Sequence, residues 1–112
     1  MSGGIPEADW KVFRSLRPIW LNRFCKRIND ELSRVLADEG RSPHEQYLAA
    51  YKLIHKRDKE VGDAFNDFRR STAIVQIAIT RKLGVITDEE FGRFSEPTRG
   101  WLQEFFDPRP RG

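Results

Sequence analysis

Apolar residues recur at steps of three and four along most of this chain, the spacing that lines one face of an α-helix. The first series runs through Trp10, Phe13, Leu16, Trp20, Phe24, Ile28, Leu32 and Val35, with Arg23, Lys26, Arg27, Asp30 and Arg34 opposite it. Pro18 lies within the series. Proline disfavours a helical residue before it and removes one internal hydrogen bond. The pattern therefore predicts a short helix ending near Arg17, or a kink there, and then a helix from Pro18 to about Asp38, closed by Gly40.

Ser42-Pro43-His44-Glu45 follows. It supplies a capping serine, a proline at the first helical position and a glutamate able to reach back to the cap. The helix it opens is predicted to run from Pro43 to about Arg70. Its most regular stripe is Tyr47, Tyr51, Ile54, Asp58, Val61, Phe65 and Phe68, read as the buried face with one carboxylate in its middle. An unpaired buried carboxylate is costly, so Asp58 needs a partner or an opening. Two roles are expected. Asp58 pairs with Arg17, a contact whose loss typically costs about 3 to 5 kcal/mol, or Asp58, Tyr47, Tyr51 and His55 line a groove between helices where a ligand or a basic side chain binds.

The run from Thr72 to Thr80 is apolar almost all round and rich in β-branched residues, so periodicity alone does not separate helix from strand. No second strand-like run exists to pair with it, and a lone strand leaves its backbone groups unbonded. A helix ending at Leu83-Gly84 is predicted, with an intermolecular strand as the alternative. Thr87-Asp88-Glu89-Glu90 is a second capping box, opening a short helix through Phe91 and Phe94. Ser95-Glu96-Pro97 opens a last helix carrying Trp101, Leu102, Phe105 and Phe106. The segment Lys82-Leu83-Gly84-Val85-Ile86-Thr87-Asp88-Glu89-Glu90-Phe91 resembles the short C-terminal SHOCT module of bacterial proteins, in which one helix ends at glycine and an acidic cap starts the next. That likeness covers about a tenth of the chain and amounts to shared helix-turn-helix mechanics.

The fold class expected is all-α: a single bundle of four to six helices with short connections over residues 1–106, and a flexible Pro/Arg tail at 107–112. The size suits one core, because the chain has 112 residues, 38% of them hydrophobic and 33% charged. Twenty Lys and Arg against 17 Asp and Glu leave a net charge of only +3, which permits nucleic acid without arguing for it. Cys25 is the sole cysteine, so no internal disulfide forms and a reducing compartment is expected. No stretch approaches the length of a membrane span, and the first residues lack the blocks of a signal peptide. A cytoplasmic location is expected.

No motif names a reaction. His44 and His55 are the only histidines, neither beside a nucleophile, and there is no phosphate loop, HExxH or CxxC. No catalytic residue, metal site or cofactor is expected. Arg23, Arg27, Lys56 and Arg70 represent basic faces that could meet phosphates, but acidic residues interleave with them, as on an ordinary solvated surface. The function expected is a protein-interaction module in a regulatory or accessory role, possessing a protein partner or a second copy of itself. The binding candidates are Tyr47, Tyr51, His55 and Asp58 with Trp101, Phe105 and Phe106. Nucleic-acid binding is the alternative.

Overall fold

A computed structural model of the chain describes residues 4–105. They form five α-helices: α1 (Glu7–Leu36), α2 (Pro43–Phe65), α3 (Ala73–Lys82), α4 (Asp88–Phe91) and α5 (Glu96–Phe105), with a 3-10 turn at Arg70–Thr72 before α3. The protein is all-α, with no strand among the described residues. The run at 72–80 is helical, as partner counting predicts. The expected tail at 107–112 lies outside the described residues.

Helix α1 is the spine. It continues through Pro18, so no helix ends near Arg17. Pro18 sits on the exposed side, while Phe13, Leu16, Trp20 and Phe24 on either side of it are buried in one core. Each such side chain contributes about 1.5 to 3 kcal/mol on burial, and together they outweigh the roughly 3 kcal/mol of a proline inside a helix. The helix ends at Leu36, before Gly40, and α2 begins at the expected capping box: Ser42 Oγ accepts from Glu45 N–H and Glu45 Oε1 accepts from Ser42 N–H.

The core gathers around the first half of α1. Ala64 and Phe65 enter from the end of α2, Ala73, Ile77 and Ala78 from α3, Val85, Phe91 and Phe94 from the α3–α4 turn and α4 region, and Leu102 from α5. Helix α3 ends in a glycine-dependent motif. Gly84 has φ +74°, its N–H bonds Arg81 C=O, and Val85 N–H reaches back to Thr80 C=O, which satisfies the last carbonyls of the helix. Thr87 and Glu90 then complete the second capping box.

The remaining halves of α1 and α2 project from this base as an antiparallel two-helix arm. Arg57 bonds Glu31 across the pair and Glu60 on its own helix, at 2.6 to 3.1 Å. The radius of gyration, 17.0 Å, exceeds the about 13 Å of a compact chain this long, and the arm accounts for the excess.

This placement corrects the reading of α2. Its seam against α1 is lined by Leu53 and Arg57 and ends in Ala64 and Phe65; the stripe chosen from periodicity meets the core only toward its C-terminal end, through half-buried Val61, buried Phe65 and the partly exposed Phe68 ring, which packs on Trp10 and Phe13 at 5.2 and 6.0 Å. Tyr47, Tyr51, Ile54 and Phe68 are exposed. Asp58 is exposed too, so the predicted pair with Arg17 does not form. Arg17 instead donates through Nη2 to Phe65 C=O and lies over the Phe68 ring at 4.6 Å. Helix α2 accordingly stops at Phe65 rather than near Arg70. Because Asp58 has no buried partner to lose, Asp58→Asn is expected to leave thermal stability within about 0.5 kcal/mol of the parent, checked by a melt followed by circular dichroism.

Candidate interaction surface

An α-helix turns about 100° per residue, so the seam Leu53–Arg57 fixes where the other α2 residues point. Tyr47, Tyr51, Ile54 and Asp58 fall on one flank of the seam, and Lys52, Lys56 and Lys59 on the other. On α1, whose seam runs through Ile28, Glu31 and Val35, the flank residues are Cys25, Leu32 and Leu36 on one side and Arg27, Asp30 and Arg34 on the other. In an antiparallel pair the two aliphatic and aromatic flanks come to the same side of the arm. The arm is thus a two-helix layer with one apolar face and one charged face.

The apolar face is bare over most of its length. Tyr47 is 64% exposed, Tyr51 63%, Leu36 51% and Ile54 48%. Two imidazoles and one carboxylate accompany these residues. His44 stacks with Tyr47 at 6.5 Å between ring centroids, and His55 with Tyr51 at 6.1 Å and 13°. Such stacking holds the tyrosine rings against the helix, so the face presents broad, preset rings at little further cost in side-chain entropy. Asp58 has no ion-pair or hydrogen-bond partner among the described residues. The expected site residues Tyr47, Tyr51, His55 and Asp58 therefore do share one surface, but it is an open face and not a groove. Leu36 belongs to it as well, whereas Leu48 lies on the opposite side with Lys52 and Arg41. Only the antiparallel turn after Leu36 brings Leu36 there, so spacing within one helix gave no sign of it.

The second expected cluster is only partly in view. Trp101 is 41% exposed on α5; Phe106 and the side chain of Phe105 lie outside the described residues.

The four cations read as a basic alternative divide. Arg23 makes a two-pronged ion pair with Glu90 at 2.8 and 3.0 Å and donates to Val85 C=O at 2.6 Å. Arg27 donates to Leu83 C=O and Gly84 C=O, and Arg70 to Ile5 C=O and Glu7. These three tie α1 and the N-terminal segment to the α3 region. Lys56 stays exposed on the charged face of the arm.

Two buried carboxylates organise the base, and neither was singled out from the sequence. Glu90 accepts from Trp20 Nε1 at 3.0 Å and from Thr87 N–H besides its pair with Arg23. The Arg23 guanidinium, with the indole and backbone donors, holds the Glu90 carboxyl down at about 2 against the desolvation that opposes it. Asp9 accepts from Ser95 N–H, Ser95 Oγ and Thr98 Oγ1 at 2.6 to 2.7 Å. Asp9 stands four residues before Phe13, on the same arc as Leu16 and Trp20, so its position on the core stripe was available from spacing. Glu90 was visible only as a cap.

Among the described residues, no three His, Cys, Asp or Glu side chains converge as metal ligands, and no helix is long and apolar enough to cross a membrane. Comparison with protein-family models, with curated proteins and with solved structures gave no match.

Proposed function

We propose that the protein acts by binding another protein chain through the apolar face of the α1–α2 arm, in an accessory or regulatory role. The reading rests on one observation: Leu36, Tyr47, Tyr51 and Ile54 are all exposed and fall on one side of an arm that projects from the core. Exposed apolar residues scattered singly need no explanation, but a contiguous set on a projecting arm is what protein contacts use. Tyrosine suits that task, since it adds large area with few rotatable bonds and keeps a polar tip.

The test is affinity capture from native lysate with the tagged parent, Tyr51→Asp and Ile54→Asp, each treated with nuclease. Protein retained by the parent and lost from both variants is the expected result. Capture that is equal in all three, or that disappears on nuclease treatment together with bound nucleic acid, would overturn it. Both substitutions lie on exposed helix surface, so unchanged melting curves are expected to accompany the loss.

A further inference from the structure

We infer that the partner of the arm is a second copy of this chain, seated face to face and antiparallel, so that two arms complete a four-helix bundle. This rests on the preceding reading of the apolar face as a binding surface and names its occupant.

Charge and hydrogen-bonding complementarity carry the inference. The α2 half of the face is asymmetric along its length: His44 and Tyr47 lie at the tip, Tyr51 in the middle, and His55 and Asp58 toward the base. A two-fold axis crossing the arm at the level of Tyr51 reverses one copy over the other. His44 then stands level with the partner copy's carboxylate at position 58, Tyr47 with its imidazole at 55, and Tyr51 with itself. Donors at the tip meet the acceptor at the base twice, and the otherwise unpartnered Asp58 gains a partner. The other face-to-face arrangement has its axis along the arm and sets α2 over the partner copy's α1. It would set Asp58 over the turn around Ile28, whose side of the arm offers the neutral Asn29 amide but no imidazole or cation, a weaker match for a carboxylate than His44.

Length and area agree with the same arrangement. Tyr51 lies near the middle of the part of α2 that stands clear of the core, so reversal about it overlaps the arms fully, each tip ending at the other copy's base. The overlap from His44 to Asp58 is about 21 Å at 1.5 Å per residue, and a two-helix layer is about 20 Å wide. That projects to roughly 400 Å² of flat area per copy, which corrugated side-chain surface raises toward the roughly 800 Å² per partner of a standard interface. Left-handed packing of two helical hairpins at a shallow angle is the ordinary geometry of such bundles.

The experiment is sedimentation velocity of the full chain between about 1 and about 200 µM, with four proteins: the parent, Tyr51→Asp, His44→Asp, and the double variant His44→Asp/Asp58→Lys. For the parent, the mass is expected to rise from 13.1 kDa toward twice that value. Tyr51→Asp, which sets two carboxylates together on the axis, is expected to stay monomeric at all concentrations. His44→Asp, which opposes two carboxylates, should weaken association about tenfold, and the double variant should recover to within about threefold of the parent. A parent that remains at 13.1 kDa throughout overturns the second copy as partner, while the broader reading is still judged by whether Tyr51→Asp loses captured protein. A dimer indifferent to Tyr51→Asp removes the arm as the dimer interface and overturns this inference, and the broader reading is again judged by the capture experiment. A dimer lost in Tyr51→Asp but not recovered in the double variant overturns the antiparallel register. Monomeric protein that binds phosphatidylcholine–phosphatidylserine vesicles through Tyr51 overturns the assignment in favour of a lipid surface.

Discussion

Glu90→Ala is expected to destabilise the protein by about 3 to 5 kcal/mol, the range for removing one partner of a buried ion pair. The change takes the acceptor from three groups together: the Arg23 guanidinium, left with Val85 C=O alone, the Trp20 indole N–H at the centre of the core, and the Thr87 N–H at the start of α4. Glu90→Gln keeps an acceptor for the two neutral donors and loses only the charge, so it is expected to cost clearly less. The same carboxylate makes stability depend on pH. Its folded value of about 2 lies below the ordinary 4.5, so the folded state favours the ionised form. That contribution is present in full above about pH 5 and is lost as the pH falls toward 2. A depression of this size corresponds to a loss on the order of 3 kcal/mol over that window. Urea unfolding at neutral pH and near pH 2.5 checks both statements: the gap between parent and Glu90→Ala should narrow in acid. A gap that stays the same would mean that packing around Glu90, and not its charge, holds α4 to α1.

Local signals in the sequence placed the elements, while the choice of which face turns inward required the tertiary partner. Ser42 with Glu45, Thr87 with Glu90, and Gly84 each satisfy backbone groups within a few residues of themselves, so their meaning can be read without the rest of the fold. The end expected near Arg17 is absent because the cost of Pro18 is local, whereas its compensation is a core assembled from α3, α4 and α5. Helix α2 was misread for a related reason. Its stripe Tyr47–Tyr51–Ile54–Asp58 is more apolar by residue type than the seam the structure uses, in which Arg57 bridges Glu31 and Glu60. Periodicity reports which face avoids water, not which chain covers it. A stripe that is covered by its own core at Phe65 and bare at Tyr51 has the pattern of a buried helix along its whole length. The binding candidates on α2 were therefore legible as a group, but their setting as an open face was not.

Asp9→Ala is expected to release α5 from the base, at a cost of about 3 kcal/mol. Asp9 is 1% exposed, and its two oxygens accept three hydrogen bonds from the start of α5, one from the Ser95 backbone and two from the hydroxyls of Ser95 and Thr98. A helix N-terminus carries unsatisfied N–H groups and a partial positive charge, and it ordinarily takes its cap from the residue just before it. Here the carboxylate arrives from the first turn of α1, so one side chain both caps α5 and fixes its position against the spine. Removing it leaves three donors facing a small cavity. Each buried donor deprived of its acceptor costs about 1 to 3 kcal/mol, reduced where a hydroxyl can turn to another acceptor, as Ser95 Oγ can toward Thr98 Oγ1 at 3.2 Å. Asp9→Asn retains one acceptor oxygen and should fall between the parent and Asp9→Ala. Hydrogen exchange resolves the mechanism: in Asp9→Ala the amides of residues 96–105 should lose protection well before those around Trp20, because Leu102 alone anchors α5 apolarly in the core among the described residues. Equal loss of protection in both segments would instead make α5 an inseparable part of the cooperative core, with Asp9 stabilising the whole of it.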